Sequence, residues 1–139
     1  MTGAAQSFTP CGEMLHPMMD FVVKRAEALN LPQSTSLRLQ LIAEELFTNT
    51  FRHGPPRGGH APVTLSIDAA GEDVELVYED GEPEWNPLRH IDRSHLELPL
   101  EQRPVGSLGW VLIESFARKL QYERCNERNR IRVLLQREP

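Results

Sequence analysis

A carboxylate, a carboxamide and an imidazole follow one another at helical spacing in residues 41–54. Glu45, Asn49 and His53 are each four residues apart, so a helix would place them on one face. A carboxylate can accept a proton or orient a nucleophile, and an amide oxygen is a ligand that Mg2+ accepts beside phosphate and water. The pattern is typical either of a solvated polar face or of a phosphate-handling site.

A second group with possible chemistry ends a predicted strand. Asp80 shares the strand phase of Leu76 and Tyr78, so its side chain should point to the helix-covered face of the sheet. A carboxylate there can accept a hydrogen bond from an exocyclic amine, such as N6 of adenine. Asp80 followed by Gly81 is also a common turn sequence, and that interpretation stays open.

A glycine-containing turn, Gly106-Ser107-Leu108-Gly109, precedes a helix predicted over about residues 110–120. Glycine lets a backbone approach a ligand closely, and a helix N-terminus offers free N–H groups and a positive dipole end to phosphate. The same residues can also form an ordinary loop. The sequence GxxxxGK[ST] is absent, which excludes a P-loop nucleotide site.

Composition is that of a soluble globular domain. The 139 residues are 40% hydrophobic and 25% charged, which predicts one domain over residues 1–139 with a core of its own. The net charge of -5 argues against nucleic acid as a partner. Basic residues crowd the last quarter, which favours a solvated sheet face, with phosphate or protein contact as the alternative. They are Arg118, Lys119, Arg124, Arg128, Arg130 and Arg132.

Cysteine usage and the absence of targeting signals predict a cytoplasmic protein. Cys11 and Cys125 lie far apart and form no CxxC or Cys/His cluster, which fits two free thiols in a reducing compartment. Neither a membrane-spanning apolar run nor a signal peptide is visible, so no membrane partner is expected.

Hydrophobic periodicity predicts the elements that position these groups. Residues 1–10 are expected to be a flexible start with an edge strand near 6–9, and a first helix should span about 13–29. A second helix should be capped by Ser34, Thr35 or Ser36 and run to about Arg52.

The second half alternates between strands, a long segment and a helix. A hairpin is predicted from residues 63–68 to 74–79, and two closing strands near 121–125 and 130–136. Residues 82–105 show no sustained hydrophobic periodicity, which is typical of a lid. The predicted fold is α+β, a two-layer α/β sandwich whose mixed, mostly antiparallel sheet is covered on one face by helices.

The order and spacing of the three motifs resemble the N, G1 and G2 boxes of the GHKL ATPase superfamily, and most closely those of the bacterial anti-sigma factor serine-protein kinases. The N box, E-x-x-x-N-x-x-x-H-G, is matched by residues 45–54. The G1 box, D-x-G-x-x-F-[DN]-P, is matched by residues 80–87. The lid and G2 box resemble L-x-x-R-x-[GS]-G-x-G-L, and residues 100–110 look like that pattern. The resemblance extends from the first helix to Gln136 and implies the Bergerat (GHKL) fold.

The chain departs from the family's pattern in the G1 and G2 boxes. Glu82 stands at the G1 glycine position, with Gly81 beside it. Alternatively, Glu79 takes the aspartate position and Gly81 the glycine position, with one residue inserted; strand phase and spacing favour Asp80. In the G2 box, Ser107 replaces a glycine and Trp110 replaces a leucine.

The resemblance implies a role for each matched residue. Glu45 would be the general base, Asn49 would coordinate Mg2+, and Asp80 would contact adenine N6, with Gly81 beside it. His53 would either make a structural hydrogen bond at the helix end or take part in catalysis.

The phosphate contacts are implied in the same way. Arg103 would meet the γ-phosphate unless it is solvated, and backbone N–H groups of the G2 turn would bind the phosphates. The turn residues in question are Gly106, Ser107, Leu108 and Gly109.

The implied activity is that of an ATP-binding, Mg2+-dependent anti-sigma factor and serine/threonine-protein kinase. Such a protein binds a sigma factor, phosphorylates a STAS-domain anti-anti-sigma protein and forms a homodimer. Two alternatives remain: a nucleotide-dependent binding module without kinase activity, and a detached histidine-kinase ATP-binding domain.

Overall fold

The computed structural model describes residues 4–53, 61–91, 99, 101 and 107–138. In these residues three α-helices and five strands form. The helices are α1 (Leu15–Ala28), α2 (Gln33–His53) and α3 (Ser107–Phe116). The strands are β1 (Ala5–Phe8), β2 (Val63–Ala70), β3 (Asp73–Asp80), β4 (Lys119–Cys125) and β5 (Arg128–Gln136).

The strands form one five-stranded sheet in the order β1-β2-β3-β5-β4. The predicted α+β class is confirmed, and so is the edge strand near the N-terminus. The expectation of a mixed sheet is wrong for the described strands, since each of their pairings is antiparallel. Tight hairpins account for two of these pairings, β2 with β3 and β4 with β5, because a tight turn connects only antiparallel neighbours. Gly71 turns the first with a φ of 64°, and Asn126 and Glu127 turn the second at 51° and 61°.

Strict alternation builds the core on one face of the sheet. In β3 and β5 every second residue is buried, as the period of two requires. Helix α1 adds an apolar stripe at spacings of three and four, with four buried residues: Met18, Phe21, Val22 and Ala26. The helices and the inner sheet face therefore share one hydrophobic cluster.

The opposite sheet face carries paired charges. Arg130 lies 2.7 Å from Glu79 and 3.0 Å from Glu123, and Arg128 lies 3.3 Å from Glu79. These residues come from β3, β4 and β5, so the ion pairs cross strands. Arg128 and Arg130 therefore lie on the predicted sheet face, but they are only partly exposed. Arg124 departs from the prediction, since it donates to the Glu82 carbonyl at 2.8 Å on the covered side of the sheet.

Two predicted boundaries are wrong. Helix α2 begins at Gln33, so Thr35 lies inside its first turn. Thr35 is fully buried and donates to the carbonyl of Arg137 at 2.7 Å, a contact from the far end of the chain that local pattern does not show. Helix α3 begins at Ser107 and ends at Phe116, rather than spanning 110–120, so the last three residues of the predicted glycine turn are helical.

The segment predicted to be a lid is described only in part. Residues 92–98, 100 and 102–106 lie outside the described residues. Before them, Pro87–His90 forms a turn of 3-10 helix, which Asn86 caps by accepting from the Leu88 N–H at 3.0 Å. None of the helices in the described ranges has the length and apolarity needed to cross a membrane.

Candidate functional site

The polar face of α2 contributes two predicted residues to the site. Glu45 and Asn49 are both half-buried and lie one helical turn apart. Asn49 lines a pocket together with Leu46 and Thr50, which are its neighbours on the sheet-facing side of the helix. His53 ends the helix, and its side chain lies outside the described residues.

The Glu45 carboxylate packs directly on the first turn of α3. A Cβ added to Gly109 would lie 2.1 Å from Glu45 Oε1 and 2.6 Å from its Cδ, so any side chain at position 109 would occupy the space that this carboxylate fills. A helix N-terminus presents free N–H groups and a partial positive charge, which favour a carboxylate or another anion. The contact therefore joins the predicted base to the predicted phosphate-binding turn.

Asp80 ends β3 on the covered face, as its strand phase predicts. It is 9% exposed. Its Oδ2 accepts a hydrogen bond from the Thr50 hydroxyl at 2.9 Å, and its Oδ1 accepts from Asn129 Nδ2 at 2.9 Å and from the Glu82 N–H at 3.3 Å. These three bonds satisfy much of the acceptor capacity of this carboxyl group, as its burial requires.

Tyr78 extends this network into the core. Its hydroxyl is hydrogen-bonded to Thr50. Burial raises the pKa of Tyr78 well above its ordinary value of 10.0, and the charges of Asp80 and Glu82 raise it further, against the lowering effect of Thr50 and Arg128. The phenol is therefore protonated at neutral pH and can donate.

These groups line one pocket of about 240 Å³ between α2, the sheet and the loop after β3. Leu46 and Ile131 supply apolar surface, and the carboxylates of Asp80 and Glu82 lie in the same pocket. Such a mixture of apolar surface with a few convergent polar groups is typical of a small-molecule site. The remaining lining residues are Asn49, Thr50, Tyr78, Pro83, Glu84, Trp85, Pro87 and Asn129.

Asn129 is a residue of this site that the sequence analysis missed. It is 5% exposed and accepts at Oδ1 from the Trp85 N–H at 3.1 Å and from the Tyr122 hydroxyl at 2.7 Å. Its Nδ2 donates to the carbonyl of Pro83 at 3.0 Å as well as to Asp80. One amide thus ties the end of β3 to the loop that follows it.

One sequence signal could have revealed Asn129. It shares the strand phase of Ile131 and Val133, so its position on the covered face follows from alternation. Its pairing with Asp80 depends on the register between β3 and β5, which alternation does not specify.

Gly81 has a packing role. A Cβ at this position would lie 2.6 Å from the Cβ of Ala61, which stands two residues before β2. Glycine is therefore needed where the end of β3 meets Ala61. The predicted contact of Gly81 with a ligand stays a prediction, because Gly81 is not among the residues that line the pocket.

Other predicted site residues lie wholly or partly beyond the described parts of the chain. Arg103 and Gly106 are outside them, and only the backbone of Ser107 and Leu108 is described, as the start of α3. No group of three or more His, Cys, Asp or Glu side chains that could hold a metal occurs among the described residues. A Mg2+ ion bound through one amide oxygen, such as that of Asn49, needs no such group when phosphate and water supply the other ligands.

A comparison with models of protein families gives a match over most of the chain. Residues 9–135 match the family model described as the histidine kinase-like ATPase domain. The matched range includes α1 to α3, the whole of β2 to β4 and nearly all of β5, and it contains every residue of the pocket. A comparison with curated proteins gave no significant match.

Proposed function

The chain belongs to the histidine kinase-like ATPase domain family, and from this premise we propose that it is an ATP-binding anti-sigma factor and serine-protein kinase. Its substrate would be a serine of a STAS-type anti-anti-sigma protein in a partner-switching pathway. The observation that carries the proposal is the packing of Glu45 against Gly109, which brings a carboxylate to the helix turn that would bind phosphate.

The adenine end of the nucleotide fits the floor of the pocket. Asp80 is buried and fixed by Thr50 and Asn129, so it can accept a hydrogen bond from N6 without reorganising. Leu46 and Ile131 offer apolar surface to the faces of a purine ring. A buried acceptor of this kind discriminates against bases that present a carbonyl oxygen at the same place.

The phosphate end fits the residues around the α2 and α3 contact. Asn49 lies one turn from Glu45 and would supply an amide oxygen to Mg2+. When bound, the ion would neutralise charge on the phosphates during transfer. Glu45 would accept the proton of the attacking serine hydroxyl, which the partner protein must bring into the site. Binding of a sigma factor, a homodimer and a cytoplasmic location complete the proposal.

The test separates the base from its exposed neighbour. Glu45→Ala should abolish phosphate transfer from Mg-ATP to STAS proteins of the same genome while ATP binding persists, because the proton acceptor is lost and the base pocket is intact. Glu44→Ala is the matched control, since Glu44 is an exposed carboxylate one residue earlier on the same helix. Normal transfer by Glu45→Ala would contradict the assignment of the base.

A second pair of measurements tests the metal ligand. Asn49→Ala should weaken nucleotide binding in the presence of Mg2+ and change it little in the presence of EDTA, because the lost amide acts through the ion. Equal weakening under both conditions would assign Asn49 a contact with the nucleotide itself.

One observation favours a second function, a nucleotide-dependent binding module without kinase activity. Glu82, which takes the place of the family's glycine, is buried in the pocket at 8% exposure, and it changes the nucleotide site itself. ATP binding that alters affinity for a partner, with no transfer to any STAS protein, would favour this function over the kinase.

A further inference from the structure

The acceptor capacity of Asp80 is nearly used by the protein. A carboxylate has roughly four acceptor positions. Three donors from the described residues already reach Asp80, namely the Thr50 hydroxyl, the Asn129 amide and the Glu82 N–H. This count leaves Asp80 one position for a ligand, whereas an exocyclic amine carries two N–H donors.

A second carboxylate lies in the same pocket. Glu82 follows Asp80 by two residues, is 8% exposed, and lines the pocket together with Asp80. Tyr78 lines this pocket as well, beside both carboxyl groups. With its own acceptor positions, Glu82 can accept from a ligand in addition to its contacts within the protein.

The loop that carries Glu82 is held in place. Arg124 donates to the Glu82 carbonyl at 2.8 Å, and Asn129 donates to the Pro83 carbonyl at 3.0 Å. The backbone N–H of Trp85, at the end of the same loop, donates to Asn129 Oδ1 at 3.1 Å. A side chain on a backbone fixed at these points is preorganised, which a specificity contact requires.

We propose that Glu82 is a specificity-determining residue, which accepts the second N–H of the exocyclic amine whose first N–H is bound by Asp80. The inference rests on the proposed binding of ATP and extends it, because glycine at this position would have no side chain to act as an acceptor. Two carboxylates around one amine select adenine against hypoxanthine, since O6 of hypoxanthine would meet two acceptors and no donor.

The experiment measures Kd for Mg-ATP and Mg-ITP with the full chain and compares the ratio within each variant. The ratio of the two Kd values cancels any change in protein stability that weakens the binding of both nucleotides equally. Glu82→Ala should lower the preference for ATP by at least about tenfold, the effect of a hydrogen bond to a charged group. Glu82→Gln, which is nearly isosteric, should lower it at least as far, because its amide can donate to O6.

The matched control is Glu127→Gln, which removes one exposed carboxylate in the β4–β5 turn and changes the net charge equally. A preference that stays within about twofold of the wild-type value in both Glu82 variants overturns the inference, and so does an equal change in Glu127→Gln. Failure of the wild-type protein to bind ATP would overturn the proposed function as well. Binding by the wild type with an unchanged ratio in the variants refutes only the role of Glu82.

Discussion

Gly109→Ala separates the stability of the protein from the position of its predicted base. The new Cβ would lie 2.1 Å from Glu45 Oε1, whereas ordinary van der Waals contact begins at 3.4 Å. The carboxylate must therefore move by at least about 1.3 Å, the difference between these two distances. Glu45 is a flexible side chain, so this movement changes its rotamer and leaves the backbone of α2 in place.

The two consequences differ greatly in size. Alanine in place of a helical glycine contributes about 0.5–1 kcal/mol of stability, and a displaced rotamer costs about 0.5–1.5 kcal/mol. The free energy of unfolding should therefore change by less than about 1 kcal/mol. A misplacement of about 1 Å in a reacting group can slow catalysis about a hundredfold.

Urea unfolding and the rate of phosphate transfer measure these two effects on the same sample. The control is Gly12→Ala, since a Cβ at Gly12 meets nothing within 4 Å and should leave the transfer rate unchanged. In a Glu45→Ala background the clash is absent, so Gly109→Ala should raise the free energy of unfolding by the full difference in helix propensity between alanine and glycine. A normal transfer rate in Gly109→Ala, or an equal stability change in both backgrounds, would refute the reasoning.

Three further predictions concern buried polar residues. Because the pKa of Tyr78 is raised above 10.0, Tyr78 stays protonated in the folded protein while the unfolded chain loses its proton. The unfolded state then binds fewer protons, so the free energy of unfolding should fall as the pH rises above about 10, and less steeply in Tyr78→Phe. Asn129→Ala should weaken ATP binding more than tenfold, because it removes the hydrogen bonds that hold Asp80 and the loop after β3. Nucleotide titration measures this, and unchanged binding would show that Asn129 does not position the site. Thr35→Val should lower the free energy of unfolding, measured with urea, by about 1 kcal/mol, because the hydrogen bond to the Arg137 carbonyl is lost. An unchanged free energy of unfolding would show that this hydrogen bond contributes nothing to stability.

Local patterns were enough to predict most elements and two parts of the site. The apolar stripe of α1, the alternation of β2 and β3 and the polar spacing of Glu45 and Asn49 are repeated within one segment, where the period of the backbone determines which residues share a face. Asp80 faces inward for the same reason. Helix starts were less accurate, because Thr35 looks like a cap while its hydroxyl bonds to Arg137 at the other end of the chain.

The sequence by itself determined the residue types, the faces on which they lie and the family to which the chain belongs. Only the tertiary structure decided which faces meet. Glu45 rests on Gly109, and Asn129 bonds to Asp80, across separations of 64 and 49 residues along the chain. Such contacts depend on strand register and helix packing, which arise from the fit of the whole core and leave no periodic signal in either segment.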